Sequence, residues 1–376
     1  MKLTYKDLTP ACKHLPDYDG HKVYGLVDET DKPIVATCVH RCGTGMKSMF
    51  GPVIKSGGGW RRPLIPYVND DAAFTDGLRL SSGMTSKFAG LELPIGGAKS
   101  VTFVHNMPEL MTDENLFTEL MRIFGTEIVT RIGSYLTAED VGTKPQHMLY
   151  LKDHAPRGLV TGFERDVSEV TAHGVVMGVE AALKSTNFFN FGEFGRIDMA
   201  SYAIEGVGAV GGHIVNKLWE GGARNITICD ARPERAQEVA DGKADVTIVP
   251  CSDIRKTSVD VFMPCALGGT INAKTIDDLN TFIVAGCANN QLKTREDGLL
   301  LHKLGIVYAP DFIINAGGLI AVVCDAITGK PIESMLPVIS ENLKFVFAES
   351  KRTGMATSIV ADALVRERIA KLALPE

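Results

Sequence analysis

The sequence feature that most constrains this chain is a glycine-rich turn between a strand-like run and a helical one. Ser201–Glu205 is an apolar β-type run that leads directly into Gly206-Val207-Gly208-Ala209-Val210-Gly211, and a helical segment follows. A GxGxxG turn in this context brings a pyrophosphate close to the backbone and directs a helix N-terminus at the phosphates. The motif predicts a Rossmann-type dinucleotide site. The residues assigned to it are Gly206, Gly208, Ala209, Val210 and Gly211.

A carboxylate beyond this turn indicates which dinucleotide is bound. A second strand candidate, Asn225–Cys229, ends in Asp230, about twenty residues after the last glycine. An acid there accepts hydrogen bonds from the adenosine ribose, which favours NAD over NADP. Arg232 offers an alternative, because a guanidinium can accommodate a 2′-phosphate, although beside Pro233 and Glu234 it is more typical of a solvated helix start. We therefore predict that NAD is the cofactor.

The segments around the motif have the pattern of a doubly wound α/β fold. Between residues 166 and 330, apolar runs without alternation are separated by stretches of helical character, as in a parallel sheet covered on both faces. The strand candidates are Ser201–Glu205, Asn225–Cys229, Val246–Val249, Asp260–Met263, Phe282–Ala285 and Ile306–Tyr308.

The length of the chain allows a second domain beside the Rossmann domain. At roughly 150 residues per domain, 376 residues indicate two or three domains. Residues 1–165 mix short strand-like runs with helices and are predicted to form a first α/β domain, followed by the Rossmann domain at 166–330. Residues 331–376 are helical with apolar faces, and we expect these C-terminal helices to pack back on the first domain and complete it.

Composition and charge exclude several classes of function. The net charge of −6 provides no basic surface for a phosphate backbone, so nucleic acid is not an expected partner. The N-terminus lacks the apolar core of a secretory signal, and the most apolar C-terminal stretch is about half a membrane span. The eight cysteines show no zinc spacing and no CxxC pair. We therefore expect a cytoplasmic protein without a membrane or metal site.

Three ionisable residues of the first domain have unusual surroundings. Lys87 ends the run Gly83–Lys87, and Lys99 ends Leu93–Lys99, where it follows Gly-Gly-Ala. A buried lysine near another cation can act as a base at neutral pH, while a charged lysine binds a carboxylate; a solvated cation is the alternative for each. Asp140 precedes a Val-Gly turn, so it either caps a helix or shuttles protons. Spacing alone does not choose between these alternatives.

Beyond this site-by-site analysis, the chain resembles the glutamate/leucine/phenylalanine/valine dehydrogenase superfamily, and most closely its leucine dehydrogenase branch. The resemblance covers about two thirds of the chain, from Asp76 to Ala326, and its blocks occur in family order. The blocks are RLSSGMTSK (79–87), LPIGGAK (93–99), TAEDVGT (137–143), EGVGAVGG (205–212), PCALGG (264–269), ANNQL (288–292) and YAPDFIINAGG (308–318).

The resemblance implies an activity and a role for particular residues. Family enzymes deaminate an L-amino acid oxidatively and reversibly, giving a 2-oxo acid and ammonia without a metal. By the matching blocks, Lys87 binds the substrate carboxylate, Lys99 activates water and Asp140 takes protons from the amine. The other implied residues are Gly58 and Gly59 lining the substrate, and Thr171, Ala266, Leu267 and Asn290 beside the nicotinamide half of the cofactor.

The substrate side chain is the part of this interpretation that stays open. The positions that match the leucine-type pocket are Ala138, Leu319 and Val322; all are apolar, which favours a branched-chain or aromatic amino acid. A glutamate enzyme needs a cation there, so glutamate remains an alternative if Lys55 or Arg61 points into the pocket. Trp60 lies inside the family's GGxR element and could reshape the pocket.

The resemblance also implies the partners of the chain. These are a small L-amino acid or 2-oxo acid, ammonia and further copies of the same chain, with the first domain and the tail expected to supply the oligomer interface. A catalytically silent homologue that only binds cofactor is the third possibility. Loss of Lys87, Lys99 or Asp140 would have supported it, and all three residues are present.

Overall fold

A computed structural model describes residues 1–42, 44–186 and 196–372, and the chain divides into two units. The first unit comprises Met1–Asp166, Val322–Lys330 and Glu367–Glu376. The second comprises Val167–Ala321 and Pro331–Arg366. Each unit contains one six-stranded sheet with helices packed against it.

The first unit is built on a mixed sheet. Its strands are β1 (Thr4–Asp7), β2 (Lys22–Val27), β3 (Pro33–Val39), β4 (Met46–Lys47), β5 (Val53–Ile54), β6 (Ser56–Arg61), β7 (Gly96–Thr102) and β8 (Tyr135–Glu139). Its helices are α1 (Thr9–Cys12), α2 (Asp70–Gly90), α3 (Glu114–Phe124), α4 (Thr130–Ile132) and α5 (Pro145–Lys152). The strand order is β1-β2-β3-β7-β6-β8, and β7, β6 and β8 run parallel at one side, while β4 and β5 form a separate pair.

Helix α2 packs unusually close to β7, and glycine permits this approach. A β-carbon at Gly97 would lie 1.8 Å from the Ser81 carbonyl oxygen and 2.5 Å from the Thr85 nitrogen of α2. The Thr85 hydroxyl also accepts a hydrogen bond from the Gly97 N–H at 2.8 Å. Gly97 therefore serves the packing of helix α2 on the sheet.

The second unit has the predicted Rossmann topology. Its strands are β9 (Ser201–Glu205), β10 (Asn225–Cys229), β11 (Val246–Ile248), β12 (Val259–Pro264), β13 (Thr281–Val284) and β14 (Val307–Tyr308). Its helices are α6 (Val167–Ser185), α7 (Ala209–Glu220), α8 (Pro233–Ala240), α9 (Arg295–Lys303), α10 (Asp311–Ile314), α11 (Gly317–Val323), α12 (Ile332–Met335), α13 (Pro337–Thr353) and α14 (Thr357–Leu372), of which α11 and α14 continue into the first unit. The order β11-β10-β9-β12-β13-β14, with parallel pairing throughout, confirms the doubly wound sheet.

The C-terminal helices are distributed differently from the sequence-based expectation, which placed all of 331–376 with the first domain. Residues 331–366 group with the second unit because α13 packs along α6: β-carbons at Gly174 and Gly178 would lie 2.6 Å and 2.8 Å from Ile339 and Leu343. Only the end of α14 returns to the first unit, where Arg368 donates to the Gly90 carbonyl at 2.7 Å. Residues 373–376 lie outside the described residues.

Candidate active site

Three neighbouring strands bring a lysine, an arginine and an aspartate of the first unit together. Lys99 lies on β7, Arg61 ends β6, and Asp140 follows β8. The Lys99 Nζ lies 3.0 Å from Asp140 Oδ2, and the Arg61 Nε donates to the same oxygen at 2.8 Å. All three side chains are largely buried. The fold thus assembles the two residues assigned to catalysis, Lys99 and Asp140, and adds a second cation.

A second layer lies behind Arg61. Its Nη1 donates to Asp76 Oδ2 of α2 at 3.0 Å, and the Tyr67 hydroxyl donates to the same oxygen at 2.6 Å. The sequence analysis missed Asp76 and Tyr67 as members of the site. The sequence contains one weak signal for Asp76. Asp76 and Lys87 are eleven residues apart on α2, which is about three turns, so both lie on one face of the helix.

Burial and neighbouring charges give Lys99 and Asp140 properties suited to proton transfer. Burial lowers the pKa of Lys99, and the positive charge of Arg61 lowers it further, against the raising influence of Asp140. Burial by itself raises the pKa of Asp140, but Lys99 and Arg61 outweigh that effect and hold the pKa well below its usual range. The cluster can therefore supply an ionised carboxylate beside an amine that gives up its proton more readily than an exposed lysine.

The helix-cap alternative for Asp140 is wrong. Helix α5 begins at Pro145, and its N-cap is Lys144, so Asp140 lies outside the helix. Instead the Thr143 hydroxyl accepts the Asp140 N–H at 2.8 Å and lies 2.9 Å from the Trp60 carbonyl oxygen, to which it donates. These bonds hold the turn after β8 against β6 and direct the carboxylate to Lys99.

The residues assigned to substrate binding occupy defined places in the first unit. Lys87 is half-buried in the last turn of α2, two residues beyond the Thr85 contact with β7. A β-carbon at Gly59 would lie 2.9 Å from the Asp140 Cβ, and one at Gly58 would lie 1.8 Å from the Ala98 carbonyl oxygen. Ala138 pairs with Gly59 across β6 and β8 and is half-buried.

Trp60, Arg61 and Lys55 differ in whether they can serve a side-chain pocket. Trp60 is fully buried, stacks on Phe124 with ring centroids 4.1 Å apart and donates its indole N–H to the Thr102 hydroxyl at 2.9 Å. It is therefore a core residue and does not reshape the pocket. Arg61 is engaged by two carboxylates, and Lys55 is exposed. None of the three supplies a buried, unpaired cation.

The glycine-rich turn of the second unit has the shape that a dinucleotide needs. Gly206 has φ +95°, and its β-carbon would lie 2.6 Å from the Ala266 Cβ, while one at Gly211 would lie 2.2 Å from the Gly206 carbonyl oxygen. At Gly208, by contrast, a β-carbon would meet no described atom within 4 Å. Helix α7 starts there with no side-chain cap and no acid in its first turn. Open backbone at a helix N-terminus fits a pyrophosphate.

Asp230 lies beside this turn as predicted, and one of its neighbours was missed. Its Oδ2 accepts the Val207 N–H at 3.0 Å, and its Oδ1 accepts the Arg232 N–H at 3.0 Å. The Arg232 side chain is mostly exposed. Arg235 of α8 donates to the carbonyls of Val207 and Gly208 at 2.9 Å and 3.3 Å. No spacing rule indicates Arg235, because the contact depends on how α8 returns to the loop.

The remaining cofactor candidates follow the carboxyl ends of neighbouring strands. Ala266 and Leu267 come after β12 and are exposed, and Asn290 comes after β13. Asn290 has φ +52°; its N–H donates to Asp311 Oδ2 at 2.5 Å, and its carbonyl accepts the Gly269 N–H at 2.7 Å. These loops meet at the edge of the sheet where doubly wound folds bind nucleotides.

Thr171 lies one turn inside helix α6 and does not cap its start. Helix α6 begins at Val167, and the Thr171 hydroxyl donates to the Val167 carbonyl one turn earlier at 2.8 Å. A β-carbon at Gly318 would lie 2.7 Å from that hydroxyl, which places Thr171 at the start of α11. Leu319 and Val322 are half-buried on α11, three residues apart and therefore on one face.

Two kinds of site are missing from the described part of the chain. No group of three or more His, Cys, Asp or Glu side chains there is arranged to hold a metal ion. None of the helices described here combines the length and apolar character that crossing a membrane requires. None of the eight cysteines, all of which lie in the described residues, forms a disulfide.

Known proteins are similar to this chain along most of its length. The family model described as "Glu/Leu/Phe/Val dehydrogenase, dimerisation domain" matches residues 46–157, and that described as "Glutamate/Leucine/Phenylalanine/Valine dehydrogenase" matches 231–326. Leucine dehydrogenase of Bacillus subtilis is 35% identical over 96% of this chain and 94% of its own. Phenylalanine dehydrogenase of Bacillus thermotolerans is 35% identical over 85% of this chain and 82% of its own. The crystal structure of L-tryptophan dehydrogenase from Nostoc punctiforme superimposes with a TM-score of 0.71 at 30% identity, covering 94% and 97% of the two chains.

Proposed function

This chain belongs to the glutamate/leucine/phenylalanine/valine dehydrogenase family, and we propose that it catalyses the reversible oxidative deamination of an apolar L-amino acid to the 2-oxo acid and ammonia. The observation that carries this proposal is the buried Lys99–Asp140 pair, at 3.0 Å, in the positions where the family blocks require them. A silent homologue would have no need of a buried ion pair poised for proton transfer. Relatives named for leucine, phenylalanine and tryptophan support an apolar substrate.

The residues of the first unit have separate tasks in this reaction. When bound, the nicotinamide accepts a hydride from the substrate Cα. Lys87 binds the α-carboxylate and orients the substrate. Asp140 takes a proton from the amine, and Lys99, as an uncharged amine, takes a proton from the water that attacks the resulting iminium carbon. Asp140 then returns its proton to the nitrogen of the resulting carbinolamine. As the C–N bond breaks, the hydroxyl proton passes to the departing ammonia, the 2-oxo acid and ammonium leave, and Lys99 releases to solvent the proton that it took from water.

We infer that the cofactor is NAD. Membership of the family supports a pyridine nucleotide but does not distinguish NAD from NADP. The support is Asp230, whose carboxylate lies at the glycine turn and repels a 2′-phosphate. The glycine residues Gly206, Gly208 and Gly211 with Ala209 and Val210 hold the pyrophosphate in this proposal. Thr171, Ala266, Leu267 and Asn290 face the nicotinamide half.

Replacing Asp230 with alanine tests this choice. We expect the Kd for NAD to rise by about 10- to 100-fold, because hydrogen bonds to a charged group contribute roughly 1.5–3 kcal/mol, while the Kd for NADP changes much less. Fluorescence titration of both cofactors measures the effect. Arg232→Ala is the comparison variant: its exposed guanidinium lies 3.6 Å from Asp230 Oδ1, and its loss should weaken NAD binding much less than Asp230→Ala does. Equal weakening of both cofactors by Asp230→Ala would remove the ribose role.

We propose that the substrate side chain is recognised by apolar residues, for which Ala138, Leu319 and Val322 are the candidates. The glutamate alternative requires a cation that pairs with the substrate carboxylate. Arg61 is already paired with Asp140 and Asp76, and Lys55 is exposed. Neither observation favours glutamate as the substrate.

A Lys55→Ala variant gives this conclusion a direct test. Since exposed side chains usually change free energies by no more than about 0.5 kcal/mol, kcat/KM on apolar amino acids should stay within about twofold of the parent protein. Steady-state kinetics with leucine, valine, phenylalanine, tryptophan and glutamate measure the outcome. A selective loss of glutamate turnover would instead place Lys55 in the pocket.

The assay that names the substrate uses the purified protein with NAD or NADP and each of the twenty L-amino acids at alkaline pH. Reduced nicotinamide is followed by its absorbance. A response confined to Leu, Ile, Val, Phe or Trp with NAD supports the proposal, and a response to glutamate alone replaces it. Silence across the panel with cofactor binding intact would contradict the dehydrogenase activity.

We also propose that the chain forms homo-oligomers and is cytoplasmic. The match of residues 46–157 to a dimerisation domain supports assembly with other copies of this chain. Eight cysteines without a disulfide support a reducing, cytoplasmic setting. No nucleic acid, metal or membrane is part of the proposal.

A further inference from the structure

The Arg61 side chain has a place in the site that the proposed reaction does not use. Its guanidinium lies between two carboxylates, with Nε donating to Asp140 Oδ2 at 2.8 Å and Nη1 donating to Asp76 Oδ2 at 3.0 Å. Only about a fifth of the side chain is exposed, at 19%. Tyr67 donates to Asp76 from the other side. The order of groups is therefore Lys99, Asp140, Arg61, Asp76 and Tyr67.

This order matters because the charge of Asp140 opposes the deprotonation that the role of Lys99 requires. Lys99 must lose its proton to accept one from water, but an ionised Asp140 at 3.0 Å stabilises the protonated amine. Arg61 binds the same carboxylate oxygen as Lys99 and carries a permanent positive charge. The positive charge of Arg61 therefore offsets the effect of the Asp140 charge on the protonation of Lys99, while the carboxylate stays ionised.

We propose that Arg61 is a positioning residue, which holds Asp140 by one oxygen and allows Lys99 to stand beside it as an uncharged base, while Asp76 and Tyr67 hold Arg61 in place. This inference rests on the proposed deamination and adds residues that act through Lys99 and Asp140 without touching the substrate. A guanidinium suits the task because its fixed fork reaches both carboxylates at once.

The other titratable groups around Lys99 do not replace Arg61 in this account. The charged groups that act on Lys99 are Asp140 from the turn after β8, Arg61 from β6 and Asp76 from α2. Strand β3 presents Cys38, which pairs with Lys99 in the sheet; burial raises the pKa of its thiol well above the usual value, so it stays neutral. Tyr135 of β8 is likewise neutral, because burial raises its pKa to about 12. Helix α2 also carries Lys87, in its last turn.

The proposal predicts that substitutions at Arg61 and at Asp76 shift the pH dependence of kcat/KM in opposite directions. In Arg61→Gln, Asp140 acts on Lys99 without compensation, so Lys99 holds its proton to higher pH. The acidic limb of the kcat/KM profile should move upward by about one pH unit or more. In Asp76→Asn, a negative charge near Lys99 is lost, and the same limb should move downward. Arg61→Lys keeps the positive charge, so the acidic limb of its profile should lie close to that of the parent protein.

Arg62→Gln is the matched control for a purely structural effect. Arg62 is the next residue, is also buried, and pairs with Glu114 at 2.9 Å, and it is not among the charges with the largest effect on the pKa of Lys99. It should lower stability, and with it the yield of active enzyme, without moving the limb. Shifts in the same direction for Arg61→Gln and Asp76→Asn, or unshifted profiles with reduced kcat as in Arg62→Gln, would overturn the proposal.

A second readout does not depend on turnover. The rate at which acetic anhydride labels Lys99, followed by mass spectrometry against pH, reports when its amine loses its proton. The same opposite shifts are expected in the assembled, full-length protein. If the amino acid panel shows no activity but labelling shifts as described, the deamination is wrong and the Arg61 inference stands. If activity is present but labelling does not shift, the inference fails alone.

Discussion

Replacing Lys99 with alanine is expected to lower kcat by about 10²- to 10⁴-fold, which is the range that a positioned general base contributes. Among the described residues, Lys99 supplies the only amine that contacts Asp140, so in this variant water attack on the iminium proceeds without a base. Stopped-flow and steady-state absorbance assays measure the loss. NAD binding should be unchanged, because the glycine turn and Asp230 belong to the other unit.

The stability of this variant separates chemistry from folding. Asp140 keeps its contact with Arg61 after Lys99 is removed, so its charge is not left unpaired and the melting temperature should fall only modestly. A small primary amine added to the assay should restore part of kcat, since it can occupy the space of the lost side chain. Near-normal turnover in Lys99→Ala would refute the role of water-activating base.

Replacing Asp140 with asparagine should cost a similar factor in kcat for a different reason. The amide keeps the size of the carboxylate but cannot take a proton from the substrate amine, and this loss is expected to be about 10²- to 10⁴-fold. Saturation kinetics with the best substrate of the amino acid panel measure it. Retained turnover would move proton transfer from the amine to another group.

The same variant should be less stable at neutral pH, because Lys99 and Arg61 then face a neutral group. Breaking a buried ion pair on one side costs about 3–5 kcal/mol. The sign with pH follows from the depressed pKa of Asp140: its contribution is fully present above the unfolded value of about 3.9 and is lost as pH falls toward the folded value. In thermal unfolding, the melting temperature of Asp140→Asn should therefore lie below that of the parent protein at pH 7, and this difference should narrow below about pH 4. A difference that persists in acid would mean that packing, not charge, causes the loss.

The Rossmann half of the fold was predictable because its signals are local. Each strand candidate from Ser201–Glu205 to Ile306–Tyr308 corresponds to an observed strand, with ends that differ by at most one residue. Apolar runs bounded by glycine turns specify burial and chain reversal over a few residues, and the handedness of parallel connections leaves few ways to join them.

The site was predictable only in part. Lys87, Lys99 and Asp140 were found through the family blocks, and the blocks alone did not show which partners their charges have. Asp76 and Tyr67 were missed, and Arg61 was considered only as a pocket cation. Trp60 was placed near the pocket, although its ring is stacked in the core on Phe124. In each case the deciding contact joins residues on different elements or loops, and no helix or strand spacing predicts it.

The sequence by itself determined the dinucleotide turn, the parallel sheet around it and the family of the chain, because glycine spacing, apolar runs and short motifs are properties of neighbouring residues. The tertiary structure decided that residues 331–366 pack with the second unit, and that Arg61 pairs with Asp140 and Asp76. These outcomes depend on distances between β6, β7, β8 and α2, and on burial that strengthens charge interactions across them. No local pattern encodes such distances, since they arise only when the strands have paired and α2 has packed on them.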